Sequence, residues 1–278
     1  MSYSFQTNVT SLLAQQNLRV NSDFQSRTIT RLTSGYRINS SADDAAGLAV
    51  ANKFRSDVTE LQQGVRNAND GVSILQIVDG GLNNISNILD RLKTLATESA
   101  SDTFSGDRAT LDTEFQGLLA EIDRQAANIG LSTGATGGRF NVSLDVYIGG
   151  GDTQTDAKVT IDLSGAGNQV DSTGLAINAD AVDTKANALT ALTDITAAIS
   201  ALGLAQGAVG TGENELNYAV QLAQSQISSF SAAQSSIRDA DVATEAANLT
   251  KAQILEQSSV AALAQANAAP QALLKLLQ

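Results

Sequence analysis

The sequence of 278 residues contains no histidine and no cysteine. These two absences exclude serine–histidine–aspartate triads, thiol catalysis, zinc sites built on either residue, iron–sulfur clusters and disulfide bonds. Tryptophan is also missing, proline occurs once, and aromatic residues make up only 4% of the chain. The core must therefore consist of alanine, leucine, isoleucine and valine, which favours slender helical packing. We expect no enzyme activity, no cofactor and no metal site.

Charge and hydropathy exclude two further classes of partner. The chain has 17 Lys and Arg residues against 29 Asp and Glu residues, which gives a net charge of −12. Sequence-independent binding of nucleic acid needs a cationic surface, so we expect none. No unbroken run of about 18 apolar residues occurs, so we expect no membrane-spanning helix. The first residues lack the basic and apolar regions of a cleaved signal peptide, so any export is expected to use another route.

Most of the chain shows apolar residues every three or four positions, which predicts a mainly α-helical fold. The longest run predicts a helix from about residue 45 to residue 97, and such a helix needs a partner along its length, as in a coiled-coil bundle. Its apolar stripe consists of Val58, Leu61, Val65, Ala68, Val72, Leu75, Val78, Leu82, Ile85, Leu89, Leu92 and Ala96. Further helices are predicted over about 110–129, 183–202, 213–238 and 241–278, with glycines weakening the pattern between 203 and 212.

The apolar spacing changes to every second residue in the middle of the chain. Apolar residues alternate with others over Phe140–Ile148 and again over Val159–Leu163, as in half-buried strands. The glycines of Gly149–Asp152 predict a loop between the two strands. This loop is not a phosphate-binding loop, because neither a Lys-Ser/Thr pair nor the start of a helix follows it. We therefore predict a β-hairpin over about residues 139–164.

Both chain ends predict amphipathic helices with more apolar surface than one helix pair can bury. The first 41 residues carry mostly basic charges, whereas residues 241–278 are weakly acidic. Because a small helical pair cannot cover this surface alone, we expect the ends to pair and to self-associate with other copies. The predicted polymerisation interface consists of Phe5, Val9, Leu13, Val20, Phe24, Leu32, Leu249, Leu255, Val260, Leu263, Leu273 and Leu276.

Some charged residues admit two interpretations. Asp43 and Asp44 precede the longest predicted helix and form either half of a metal site or a helix cap, and the cap is favoured because Ser40 lies just ahead. Arg31 and Arg37 either bind an anion, form ion pairs within an interface or lie on a solvated face, and the last two are favoured over anion binding.

Several long motifs closely resemble those of bacterial flagellins. They are the run RLTSGYRINSSADDAAGLAVAN from Arg31, the run RNANDGVS from Arg66, the run RDADVATE from Arg238 and the tail LAQANAAPQALLKLLQ from Leu263. The resemblance covers roughly residues 1–129 and 185–278, in the right order. The stretch between them is long enough for the hairpin and little more, so the chain resembles a minimal flagellin without outer variable domains.

The resemblance implies a fold and a function. The fold is mainly α: a long antiparallel coiled-coil bundle of N- and C-terminal parts with a small β-hairpin. Residues 1–41 with 241–278 would form an inner coiled-coil domain, and residues 42–240 an α-rich outer core domain. The protein would be a secreted, extracellular subunit that polymerises into the flagellar filament for swimming motility, exported without a cleaved signal by the flagellar type III apparatus. A hook–filament junction protein shares the terminal architecture and is the alternative.

The resemblance also implies partners. These are further copies of the chain, the flagellar cap and hook–filament junction proteins, an export chaperone at the C-terminal helix and the Toll-like innate receptor for flagellin. Leu89, Arg91, Leu95 and Glu114 match the family's receptor contacts, although Leu89 also belongs to the predicted core stripe. The chain departs from the family at Tyr36, where leucine is usual. It also has Gly212 and Glu215 where an apolar and a basic residue are usual, in a segment expected to pack near Leu89–Leu95.

Overall fold

The computed structural model of the chain describes residues 7–133, 143–150 and 156–276, with side chains up to residue 268 apart from that of Ala166. It confirms a mainly α fold with one small antiparallel sheet. The elements in chain order are α1 (Val9–Ser34), α2 (Ala45–Ala100), α3 (Arg108–Asn128), β1 (Leu144–Tyr147), β2 (Lys158–Ile161), a short 3-10 turn (Ala166–Asn168), α4 (Lys185–Arg238) and α5 (Val242–Leu276).

The backbone divides into two compact units. Unit 1 comprises residues 1–56 and 229–278, and unit 2 comprises residues 57–228. Unit 1 combines a segment from each end of the chain, whereas unit 2 is one continuous segment. The domain boundaries at 41/42 and 240/241 that the family resemblance implies remain a prediction.

A seven-residue repeat builds the core of unit 2. On α2 most buried positions are spaced alternately by three and four residues: Leu61, Gly64, Ala68, Gly71, Leu75, Val78, Leu82, Ile85, Leu89, Leu92, Ala96 and Ser99. On α4 the same spacing gives Ala188, Ala191, Ile195, Ala198, Leu202, Ala205, Val209, Gly212 and Leu216. This spacing is that of coiled-coil seams, and Gly71 of α2 lies beside Leu216 of α4. Val65 and Val72, which the apolar stripe included, are only half-buried.

The α4 helix differs from the sequence prediction because it is continuous. Two helices were predicted, separated by Gly203, Gly207, Gly210 and Gly212, but all four glycines lie inside one helix. The buried repeat runs without a break through Val209, Gly212 and Leu216. Tertiary packing of that repeat therefore outweighs the helix penalty of up to about 1 kcal/mol for each glycine.

The α4 helix must be weighed against the expectation that no helix of this chain spans a membrane. By length and composition it could cross a membrane, since an 18-residue window has a mean hydropathy of 1.6 and few charges. Alanines raise this mean although serine and threonine interrupt the run. A third of that window is buried within the structure, and a core helix meets the same criterion. We assign α4 to the core because its alanine-rich face forms the buried repeat of unit 2.

The hairpin is shorter than predicted. Antiparallel pairing joins Leu144 to Ile161 and Tyr147 to Lys158, and the strands thus lie inside the predicted range 139–164. The predicted strand residues Phe140 and Val142 lie outside the described residues. Val146 and Ile161 are buried, whereas Asp145 and Tyr147 on the opposite face are exposed, which is the alternation expected of a sheet with one covered face.

The start of α2 confirms the capping interpretation for Asp44, whereas Asp43 binds the loop that precedes the helix. Asp44 Oδ1 accepts a hydrogen bond from Gly47 N at 2.8 Å, as an N-cap residue does. Asp43 Oδ2 accepts from the backbone N–H groups of Ser40 and Asn39, and these hydrogen bonds hold the pKa of Asp43 below its usual value. Within the described ranges, no three carboxylates are grouped in a way that could hold a metal ion.

Candidate interaction surfaces

The helices α1 and α5 of unit 1 pair antiparallel along a seam of small and polar residues. Asn8 Nδ2 donates to Ala266 O at 3.0 Å, and Asn21 Nδ2 donates to Ser259 Oγ at 2.7 Å. The least exposed α1 side chains again follow a spacing of three and four: Ser11, Ala14, Leu18, Asn21, Gln25 and Thr28. Hydrogen bonds therefore hold this pair together with a smaller number of apolar side chains, among them the half-buried Leu18 and the fully buried Ala252.

The predicted polymerisation residues lie mostly outside this seam. Val9, Leu13, Val20 and Val260 are 67, 59, 57 and 52% exposed. Leu255 is also exposed, whereas Phe24, Leu32, Leu249 and Leu263 are half-buried. Phe5 lies outside the described residues, as do the side chains of Leu273 and Leu276. The exposed members leave a band of apolar surface on unit 1 that no described residue covers.

Sequence reasoning missed four more exposed apolar side chains on these helices. They are Leu12 and Ile29 on α1 and Val242 and Ile254 on α5. The apolar stripe was predicted as the polymerisation interface, in which the ends pair with each other or with further copies, and the seam between the two helices uses mostly small and polar residues together with Leu18. The repeat of these residues every three and four positions on α1 was the available signal. Exposed apolar surface of this kind marks a candidate interaction site.

The connection between α1 and α2 is hydrogen-bonded to the connection between α4 and α5. Gly35 ends α1 with φ of 73°, a left-handed conformation that favours glycine. Arg37 N donates to Arg238 O at 2.7 Å, and Ala240 N donates to Gly35 O at 2.9 Å. The Arg238 guanidinium lies 4.1 Å from the centre of the Tyr36 ring. Tyr36 therefore gains a cation–π contact that a leucine would lack.

Contacts of Arg31 and Arg37 reinforce this junction within the chain, and the prediction of ion pairs in an interface between copies stays a prediction. Arg31 lies 3.5 Å from Glu245 Oε1 on α5 and 3.9 Å from Asp43 Oδ1. Arg37 donates to the backbone carbonyl of Ile237 at 2.7 Å. Both arginines thus connect the N-terminal to the C-terminal segment of unit 1.

The segment matched to the innate receptor divides into buried and exposed residues. Leu89 and Leu95 are fully buried in unit 2, so they support the helix surface but do not form it. Arg91 is 51% exposed, and its Nε donates to Glu114 Oε1 on α3 at 2.9 Å. The structure brings Arg91 and Glu114 together, and their role as receptor contacts remains a prediction.

The segment around Gly212 packs against the hairpin and not near Leu89–Leu95 as expected. A Cβ on Gly212 would lie 2.8 Å from Ile161 Cγ2 of β2. Leu216, one turn further on, lies beside Gly71 of α2, and Glu215 is exposed. Glycine at position 212 thus makes room for the hairpin, and the acidic residue at 215 disturbs no core contact.

Gly64 of α2 lets the end of β1 approach its helix even more closely than Gly212 of α4 lets β2 approach. A Cβ on Gly64 would lie 1.8 Å from the carbonyl oxygen of Ile148. Around this contact, Asn67 Nδ2 donates to Tyr147 O at 3.0 Å, and Tyr147 Oη donates to Glu60 Oε1 at 3.2 Å. That hydrogen bond to a carboxylate raises the pKa of the Tyr147 hydroxyl. The hairpin therefore rests directly on the α2 backbone.

Comparison with known proteins identifies the family of this chain. The family model for the bacterial flagellin N-terminal helical region matches residues 5–130, and the model for the C-terminal helical region matches residues 190–277. Flagellin of Halalkalibacterium halodurans is 32% identical over 98% of both chains. The flagellar filament 30.7 kDa core protein of Treponema maltophilum is 34% identical over 97% of this chain and 98% of its own.

A crystal structure of Bacillus cereus flagellin is similar over 56% of this chain and 88% of its own, with 27% identity and a TM-score of 0.47. The two family models leave only residues 131–189 unmatched between them, and these hold the hairpin. The matches therefore cover both long helical regions of the chain and agree with a minimal form. On the family models and on full-length relatives above 30% identity, this chain belongs to the bacterial flagellins, the structural proteins that form the flagellar filament.

Proposed function

We propose that this chain polymerises into a flagellar filament used for swimming, through the outward apolar faces of α1 and α5. The observation that carries the proposal is the inverted distribution of residues in unit 1. Small and polar side chains fill the seam between the two helices, while Val9, Leu13, Val20 and Val260 face outward. Copies of the chain that cover these side chains gain roughly 25 cal/mol per Å² of apolar area buried.

The proposed contact repeats along the filament and does not close into a ring. An interface between two different faces of identical subunits forms an open helical polymer when its rotation does not close. Unit 1 offers two such faces, because α1 and α5 each carry exposed apolar residues on their outer sides. Cap and hook–filament junction proteins are proposed to contact the same faces at the two ends of the polymer.

Export forms the second part of the proposal. We propose that the chain leaves the cell through the flagellar type III apparatus without cleavage of a signal, and that a chaperone covers α5 beforehand. Ile254 and Val260 on α5 are exposed, so uncovered chains would associate inside the cell. Family membership supports this route, together with the polar seam between α1 and α5, which separates without exposing a large apolar core.

A truncation tests the polymerisation proposal. Deletion of residues 260–278 removes the outward Val260 together with the last part of α5. We expect a soluble chain whose unit 2 keeps its helical circular dichroism and thermal transition but which does not sediment after addition of filament seeds. The full-length chain should sediment under the same conditions. Filaments formed by the truncated chain would refute the proposal, and failure of the full-length chain to elongate seeds would favour the hook–filament junction alternative.

We further propose that Arg91 and Glu114 are contacts for the Toll-like innate receptor. Both side chains are exposed and they join α2 to α3. Substitution Arg91→Ala should weaken receptor binding at least about tenfold, since a charge-assisted hydrogen bond contributes about 1.5–3 kcal/mol. The matched control is Arg124→Ala, which removes the exposed partner of Glu121 on α3. Surface plasmon resonance with the receptor ectodomain measures both variants, and equal affinities for Arg91→Ala and the unsubstituted chain would contradict the assignment.

A further inference from the structure

The end of α1 and the loop before α2 form a cavity of about 350 Å³ within unit 1. Its wall is mostly polar and contains Arg27 and Arg31 of α1 together with Asn39, Ser40 and Asp43 of the loop. This cavity is called the Arg27 pocket below. Two guanidinium groups in one wall are suited to binding an anion, because their N–H groups match the oxygens of a carboxylate or phosphate.

Arg27 is the cation of this pocket that lacks a partner. Its side chain is exposed, and it forms no ion pair or hydrogen bond with any residue that the structure describes. Arg31 follows one helical turn later, and like charges four residues apart disfavour a helix. Asp43 and Glu245 offset the charge of Arg31, whereas no described residue offsets that of Arg27.

Arg31 is held only loosely by its acidic neighbours. Its Nη1 lies 3.5 Å from Glu245 Oε1, and its Nη2 lies 3.9 Å from Asp43 Oδ1, which is too long for a hydrogen bond. The Nε atom is buried without a hydrogen-bond partner among the described residues. Because a guanidinium has five N–H donors, Arg31 retains donors at Nη2 for a further acceptor.

The carboxylate in the wall of the pocket is bound by the loop. Asp43 Oδ2 accepts hydrogen bonds from Asn39 N at 3.1 Å, from Ser40 N at 3.0 Å and from Ser40 Oγ at 3.2 Å. Three donors of its own segment therefore hold this oxygen, and it is not free to move toward Arg27. The pocket thus has more donors than acceptors, and an incoming carboxylate fits this set.

The distribution of charge along the chain indicates the source of such a carboxylate. Residues 57–228, which form unit 2, contain 22 Asp and Glu residues against 8 Lys and Arg residues. Residues 1–56 of unit 1 contain 3 acidic residues against 6 basic ones. The acidic unit of one copy and the basic first segment of another therefore attract each other, and charge complementarity of this kind fixes the register of an interface.

We propose that the Arg27 pocket receives an Asp or Glu side chain from unit 2 of a neighbouring copy in the filament. The inference rests on the proposed polymerisation and adds a polar contact to its apolar interface. Arg27 and the Nη2 group of Arg31 donate to the oxygens of the incoming carboxylate, and no covalent bond changes. Free inorganic phosphate presents similar oxygens and is the competing ligand.

Zero-length cross-linking within filaments tests the pocket. Arg27→Lys keeps the positive charge and supplies an amine, which a carbodiimide joins to a carboxylate in direct contact. Filaments are grown from equal amounts of isotope-labelled and unlabelled chains of this variant, so that links between copies contain one peptide of each mass. We expect mass spectrometry to find position 27 joined to an acidic peptide of residues 57–228. The matched control Arg19→Lys changes an exposed arginine of α1 outside the pocket and should not be joined to the same acidic residue.

Seeded growth measures what the contact contributes. Arg27→Gln should raise the critical concentration for elongation on the order of tenfold, because a charge-assisted hydrogen bond is lost. Arg19→Gln removes the same charge and should have a much smaller effect. Both variants should keep the helical circular dichroism of the parent chain, because neither arginine contacts another described residue.

The outcomes separate this inference from the proposed function. The inference is overturned if filaments form but position 27 gives no link between copies, or if Arg27→Gln and Arg19→Gln affect elongation equally. Calorimetric titration of the lone chain with inorganic phosphate provides a further arm: saturable binding that Arg27→Gln abolishes, without links between copies, would assign the pocket to a free anion and overturn the inference. Failure of the unsubstituted chain to elongate seeds would refute polymerisation itself, and this inference with it.

Discussion

The substitution Gly64→Ala should lower the thermal stability of unit 2 by roughly 6–12 °C, which corresponds to a loss of about 3 kcal/mol. The new Cβ would lie 1.8 Å from the Ile148 carbonyl oxygen and 2.4 Å from its carbon. Both atoms belong to the backbone, so no side chain can rotate away and the end of β1 must move. Thermal unfolding followed by circular dichroism measures the change, and faster hydrogen exchange in β1 and β2 should accompany it.

A second glycine of the same helix provides the matched control. A Cβ on Gly80 would meet no atom within 4 Å, and alanine favours the helix by roughly 0.5–1 kcal/mol relative to glycine. Gly80→Ala should therefore leave stability unchanged or increase it. An equal effect of the two substitutions would show that helix propensity, and not the approach of the hairpin, determines the result.

Substitution Leu13→Asp should abolish seeded growth of the filament. Leu13 is exposed beside the seam and lines a groove between α1 and α5 together with Leu255. If a neighbouring subunit covers this side chain, burial of leucine contributes about 1.5–3 kcal/mol, and a buried unpaired carboxylate adds a further cost. The critical concentration for elongation should rise at least about a hundredfold, since 1.4 kcal/mol corresponds to a factor of ten.

Sedimentation after seeding, at a series of subunit concentrations, measures this critical concentration. Leu13→Met keeps an apolar side chain and should elongate seeds normally. Gln16→Asp adds the same charge at an exposed polar position of α1 and should have a much smaller effect. The variant chains should keep the helical circular dichroism of the parent, because Leu13 lies outside the α1–α5 seam. Normal elongation by Leu13→Asp would exclude Leu13 from the polymerisation interface.

The core of unit 2 was largely predictable from apolar periodicity, except where glycine occupies it. The stripe from Leu75 to Leu92 coincides with the buried repeat of α2. Toward the start of α2 the stripe included Val65 and Val72, whereas the buried positions are Gly64 and Gly71. A pattern based on hydrophobicity cannot identify glycine as a core residue, because the reason for it is the close approach of a distant strand.

The continuity of α4 was the second feature that local sequence patterns did not predict. Glycines at 203, 207, 210 and 212 weaken intrinsic helix propensity, and a break was predicted there. The structure shows one helix because the buried face of α4 continues through Gly212, where Ile161 fills the space of the missing side chain. Propensity is a weak local preference, and burial along the seam exceeds it.

The candidate interaction surfaces were predicted from two different kinds of information. Physical reasoning predicted that the chain ends carry too much apolar surface, and the exposure of Leu13 and Val260 is consistent with this. It did not predict the polar seam, since small polar residues carry no hydropathy signal. The Arg91–Glu114 pair came from family resemblance, because residues on different helices cannot be paired by spacing.

The joined interruptions of unit 1 have a mechanical consequence. The break after α1 and the break after α4 are hydrogen-bonded to each other through Gly35 and Ala240 and through Arg37 and Arg238. Neither connection can change its angle alone without losing these hydrogen bonds and the stacking of Arg238 on Tyr36. Tension applied to one terminus is consequently shared by both connections instead of being concentrated on one.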